Sequence, residues 1–223
     1  MKSLWKDLVS KYSNDLDFIE KLYKIIEKRY ISSNRAYHNL DHINLLLSEV
    51  KRFKNRIDDY DSVLFAIWFH DIIYNPQREN NEERSAKYAK RFLVKINYEK
   101  TRIQKVQDLI EKLDGEWIRK GEKEFILRTK DHSIRNGTED KDIKLFLDLD
   151  LLILGMKREE FIKYAKNIRK EYEFVPDDIY NKERKKILNK YLNSQFIYKT
   201  KKFRELYEKQ ARRNIKFEID NLL

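Results

Sequence analysis

The stretch DDYDSVLFAIWFHDIIY, residues 58–74, decides how the chain is read. Its opening aspartates suit the start of a helix, where a side-chain oxygen takes up exposed backbone N–H groups. From Val63 to Phe69 every residue is apolar, so a helix built from them has no polar face. Helices of that kind are buried on all sides. Pro76 prevents the helix from running on. The run therefore predicts a buried central helix, with its tryptophan and phenylalanines in the core and His70 and Asp71 near its end.

Apolar residues recur at helical spacing on either side of this run. Ile103, Val106, Ile110 and Leu113 form one stripe, and Phe161, Ala165, Ile168 and Tyr172 form another. Only four glycines and two prolines punctuate 223 residues. Too few breakers for an all-β chain, together with abundant Leu, Glu, Lys and Ile, predict an all-α helical bundle. The polar stretches NPQRENN, DGEW, RNGTED and VPDD read as loops. No repeat or low-complexity linker stands out, so the reading is a single domain over residues 1–223, with basic helices from about 177 to 223 packed on it.

The chain has 49 basic and 38 acidic residues, a formal charge of +11, which suits anionic partners. The basic segments ERKK, KTKKFR and ARR read either as solvated helix faces or as a rim that attracts phosphate. With no cysteine there are no disulfides and no thiolate zinc sites, so any metal is held by histidine and carboxylate. No apolar run approaches the ~20 residues of a membrane span, and the N-terminus lacks the core of a signal peptide. The expectation is a soluble, cytoplasmic protein.

Three of the four histidines sit in stretches that carry chemistry. In YHNLDHI, His38 and His42 are four residues apart, which on a helix puts both rings on one face. His70 and Asp71 form a polar pair in an apolar setting, costly unless something satisfies it. A divalent metal does so. In FLDLDLLILG, Asp148 and Asp150 again place carboxylates among leucines. They point about 200° apart on a helix, so only one of them faces a shared metal. Imidazole and carboxylate together suit Mn, Fe, Zn or Ni, and Mg where a second, oxygen-rich site is present.

In the stretches RAYHNLDHI, WFHDIIYNPQRENNEERSA, the TKDH around His132, FLDLDLLILG, IYKTKKF and ARRNI, the sequence resembles the HD superfamily of metal-dependent phosphohydrolases, and more narrowly the bacterial predicted HD phosphohydrolases. The matching stretches cover roughly residues 30 to 216. YHNLDHI is also similar to the YHNxxH signature of cyclic-nucleotide phosphodiesterases. The resemblance implies an HD-type helical bundle with His42, His70, Asp71 and Asp150 as ligands of one or two ions. It implies His38 as general acid and His132 as a pocket histidine, against its plain reading as a surface loop residue. The purine-clamping glutamine of the phosphodiesterases is not located here, which argues against cyclic nucleotides.

The function expected from these residues and this resemblance is metal-dependent hydrolysis of a nucleotide or other small phosphate ester. The metal activates a water, His38 protonates the leaving alkoxide, and Asp71 bridges the ions if there are two. Arg35, Arg78, Arg84 and Lys130 lie near the motifs as phosphate contacts or as surface charges. Asp148 and Glu82 are candidates to support the ligands from behind, although Glu82 and Glu83 also suit the first turn of a helix. Two rivals remain at this level: a di-iron oxygenase, and a basic helical nucleic-acid-binding protein with a structural or vestigial metal site.

Overall fold

The computed structural model describes residues 1–113, 116–120, 124–129 and 140–222, the two short strands by their backbone alone. The chain divides into two compact units, Met1–Lys112 and Leu113–Leu223. Both are built of helices, and the architecture is all-α as expected. The exception among the described residues is an antiparallel hairpin, β1 (Glu116–Lys120) with β2 (Glu124–Thr129), whose register slips between Ile118 and Arg119. The run WIRK with EFILRT is rich in aromatic and β-branched residues and carries no helical stripe, which accounts for the strands.

The first unit contains α1 (Lys2–Val9), α2 (Leu16–Tyr30), α3 (Leu40–Val50), α4 (Tyr60–Phe69), α5 (Asn81–Lys95) and α6 (Lys100–Glu111), with a 3₁₀ turn over Lys51–Arg56. Helix α4 is the predicted central helix. Asp59 caps it, its side chain accepting from Ser62 N at 3.1 Å and from Ser62 Oγ at 2.6 Å. Val63 and the whole run from Phe65 to Phe69 are buried. Trp5 of α1 packs against Trp68 and Phe92 at ring-centroid distances of 5.4 Å, so Trp68 is core, as expected. Each such ring contributes roughly 2–3 kcal/mol on removal from water. The Ile103, Val106, Ile110 and Leu113 stripe is buried along α6 and just beyond it.

The second unit contains the hairpin, α7 (Lys141–Asp150), a 3₁₀ turn over Leu152–Gly155, α8 (Arg158–Glu171), α9 (Asp177–Asn193), a short α10 (Lys201–Phe203) that runs through a π-helical turn at Arg204–Glu208, and α11 (Lys209–Asn221). Asp140 caps α7, accepting from Asp142 N and Ile143 N. Helix α11 packs on α8, α9 and the 152–155 turn. Gly155 is required in that turn, because a Cβ there would stand 2.6 Å from the Tyr207 Cβ. Arg184 and Glu218 form a buried two-bond ion pair between α9 and α11, at 2.7 and 3.1 Å. Among the described residues no helix is long and apolar enough to cross a membrane.

Candidate metal centre

In the first unit the chemistry gathers where α3 begins and α4 ends. From their spacing, His38 and His42 are expected on one helix; the structure corrects this. Asn39 caps α3, its Oδ1 accepting from Asp41 N at 2.8 Å and His42 N at 3.4 Å, so the helix starts at Leu40 and His38 lies in the preceding turn. The two rings are still neighbours, 6.1 Å between centroids. His38 is buried and stacks on Tyr74 at 4.3 Å. Tyr37 packs against both histidines, at 5.0 and 4.9 Å.

Helix α4 stops at Phe69, and His70 closes it by donating its backbone N–H to Ala66 O. The His–Asp pair thus sits at the helix end, almost fully out of water. His70 Nδ1 lies 2.9 Å from the Ile67 carbonyl. A carbonyl only accepts, so Nδ1 is the donor there and Nε2 is turned to the opposite side of the ring. Around Nε2 stand His42 Nε2 at 3.2 Å and Asp71 Oδ2 at 3.0 Å. An imidazole nitrogen facing a carboxylate oxygen needs a cation or a proton between them. Two nitrogens bound to one ion at ~2.0–2.1 Å in neighbouring positions stand about 3 Å apart, and the histidine pair meets that spacing.

Arg35 is buried, contrary to its reading as a surface charge or phosphate contact. Its Nη1 donates to the carbonyls of His38 at 3.0 Å and Asp71 at 2.6 Å, and Nη2 to that of Ile72 at 3.3 Å. The guanidinium also lies over the rings of Tyr30 and Tyr74, at 4.9 and 5.2 Å. Behind the turn, Ser85 Oγ accepts from Ile73 N and donates to Ile73 O, and the Asn81 amide accepts from Asn75 N and donates to Asn75 O. Sequence reasoning missed these pins. Their signal is Asn81 and Ser85 four residues apart on the inner face of α5. Glu82 is buried on the same helix, whereas Glu83, Arg84 and Arg78 are exposed.

In the second unit Asp148 and Asp150 are both buried on α7. Asp148 is fully engaged: Oδ1 accepts from Lys199 N at 2.6 Å, and Oδ2 from Thr200 N at 2.8 Å and Thr200 Oγ1 at 2.6 Å. Burial pushes its carboxyl up to about 7, against the Thr200 hydroxyl and the two backbone donors, which favour the charged form. Its work is to anchor the chain at 199–200. That leaves Asp150, on another side of the helix, as the α7 carboxylate suited to a ligand role. His42, His70 and Asp150 are each buried, and each offers one atom of the kind that divalent cations take. His132 and Lys130 lie outside the described residues.

Comparison with protein-family models, with curated proteins and with solved structures returned no match.

Proposed function

We propose that the chain is a divalent-metal-dependent phosphohydrolase acting on a nucleotide or another small phosphate ester. The observation that carries this reading is the orientation of His70: its Nδ1 is held 2.9 Å from Ile67 O while Nε2 faces His42 Nε2 and Asp71 Oδ2. That arrangement, a ring nitrogen oriented by a backbone carbonyl on its far side, is the one metal-bound histidines adopt. In the first unit His42 and His70 would hold the ion, and Asp71 would share it or a second one; Asp150 is the further carboxylate that the resemblance assigns to the ligand set. The donor set of imidazole and carboxylate fits Mn, Fe, Zn or Ni. The resemblance to HD-type phosphohydrolases supports the same assignment.

An ion bound there supplies a water acidic enough to be hydroxide near neutral pH, and a Lewis acid for a phosphoryl oxygen. The remaining work falls to side chains of the chain. His70 and Asp71 are fixed by the end of α4, so they meet the phosphate already oriented. His38 holds a proton on its imidazole beside the ligands, kept in place by Tyr74, and passes it to the leaving alkoxide oxygen. The net charge of +11 favours an anionic substrate. Neither rival reading gains a specific observation from the described residues.

The test is metal content of the purified protein by elemental analysis, followed by phosphate release from a panel of nucleotides with that metal restored. Bound metal with release from a subset of the panel is the expected result. No metal in the wild-type protein and no release from any nucleotide would remove this reading.

A further inference from the structure

Two turns carry the candidate machinery of the first unit, and their separation depends on the side chains that join them. His38 lies in the turn before α3, and His70 and Asp71 lie in the turn after α4. The side chain of Arg35 bonds to the backbone of both. Arg35 Nη1 bridges the carbonyls of His38 and Asp71, and Nη2 takes that of Ile72. A guanidinium offers several donors in a rigid fork, a geometry that a lysine ammonium does not reproduce.

We propose that Arg35 is the positioning residue of the metal centre, setting the separation between the turn that carries the proton donor and the turn that carries the ligands. The inference rests on the metal-dependent reading above. Three further observations support it. The residue is 8 % exposed, so its charge is taken out of water for an internal purpose. A buried cation that donates to three backbone carbonyls compensates its desolvation through those bonds, and so resists any shift of either turn. The guanidinium also lies over Tyr74, the ring on which His38 stacks, so it governs the backbone and the imidazole of His38 together. Asp71 is tied at its carbonyl, which leaves the carboxylate to face His70.

The experiment compares wild type with Arg35→Lys, Arg35→Met and Tyr74→Leu. Mn²⁺ affinity is measured by titration calorimetry and the Co²⁺ absorption spectrum is recorded for the site geometry. Turnover of phenyl phosphate and of p-nitrophenyl phosphate is followed, and the metal-free protein is melted. Loss of a residue that orients ligands typically weakens metal affinity about 10–100-fold. Arg35→Lys and Arg35→Met are expected to fall in that range with an altered Co²⁺ spectrum. Tyr74→Leu is expected to keep Mn²⁺ affinity and to lose kcat, with KM unchanged, on phenyl phosphate more than on p-nitrophenyl phosphate, whose leaving group needs no proton. Should the methionine variant not fold, the lysine and Tyr74 variants decide the matter. Wild-type Mn²⁺ affinity and an unchanged Co²⁺ spectrum in Arg35→Lys, with only a lowered melting temperature, would overturn the proposal and make Arg35 a packing residue. Failure of the wild-type protein itself to bind any of Mn²⁺, Fe²⁺, Co²⁺, Ni²⁺ or Zn²⁺ would overturn the metal-dependent reading along with it.

Discussion

Two carboxylates, one in each unit, look alike in sequence and differ in what surrounds them. Asp71 and Asp148 both sit among apolar residues, and both are almost wholly removed from water, at 3 % and 1 % exposure. Asp148 meets donors, two backbone N–H groups and a hydroxyl, and its charge is met within the second unit. Asp71 Oδ2 meets the Nε2 of His70, whose Nδ1 faces a carbonyl. Burial of a carboxylate calls for compensation of its charge; Asp148 has it from backbone and hydroxyl donors, and the proposed metal-dependent function assigns a cation to Asp71.

Removing a ligand separates the two carboxylates by the widest margin. His70→Ala and Asp71→Ala are expected to abolish stoichiometric metal and all turnover with it. A four-ligand zinc site worth roughly 10–16 kcal/mol assigns about 2.5–4 kcal/mol to each ligand. Elemental analysis that still finds one metal per chain in either variant would end the assignment. Next in size is His38→Ala, for which metal is retained while turnover of esters with poor leaving groups falls about 10²–10⁴-fold. Loss of the metal instead would make His38 a ligand.

Asp148→Ala leaves two partly buried N–H groups without their acceptor and should lower stability by about 2–3 kcal/mol in urea titration, with metal stoichiometry intact. A variant that unfolds normally but no longer binds metal would erase the distinction between the two carboxylates. The smallest effect concerns Asp59, the cap of α4. Burial raises its pKa, but the Arg102 guanidinium and Ser62 outweigh that and hold it at about 2. A folded pKa below the unfolded 3.8 gives stability that is complete above pH 4 and is lost as the pH falls from 4 to 2. Asp59→Asn should therefore cost on the order of 1 kcal/mol at pH 7, after allowance for partial exposure, and almost nothing at pH 2. Equal losses at both pH values would show that the cap acts without its charge.

Much of the first unit was legible because its signals are local. An all-apolar run with aspartates before it and a proline after it has few alternatives to a capped, buried helix, and α4 followed. The inner face of α5 was also within reach: Glu82 stands in phase with Ser85, Ala86 and Ala89, all buried, and Glu83 does not. His38 was misplaced because a four-residue spacing suggests a helix wherever it occurs, whereas Asn39, a good N-cap residue, starts the helix after it. Arg35 and Asp148 lay beyond sequence reading for another reason. Several of their partners are backbone atoms 36 and 51 residues away, and side-chain identity at those distant positions carries no trace of a carbonyl or an N–H.

The anchoring of residues 197–200 should be visible in amide hydrogen exchange. These residues belong to no helix or strand, yet Ile197 and Tyr198 donate their backbone N–H groups to Glu208, and Lys199 and Thr200 donate theirs to Asp148. Arg212 meanwhile takes the carbonyls of Leu192, Ser194 and Gln195. An irregular stretch normally trades its protons with water almost as fast as an unfolded chain. This one can do so only when two carboxylates from different helices release it, so its four amides should exchange on the slow timescale of the helices around it.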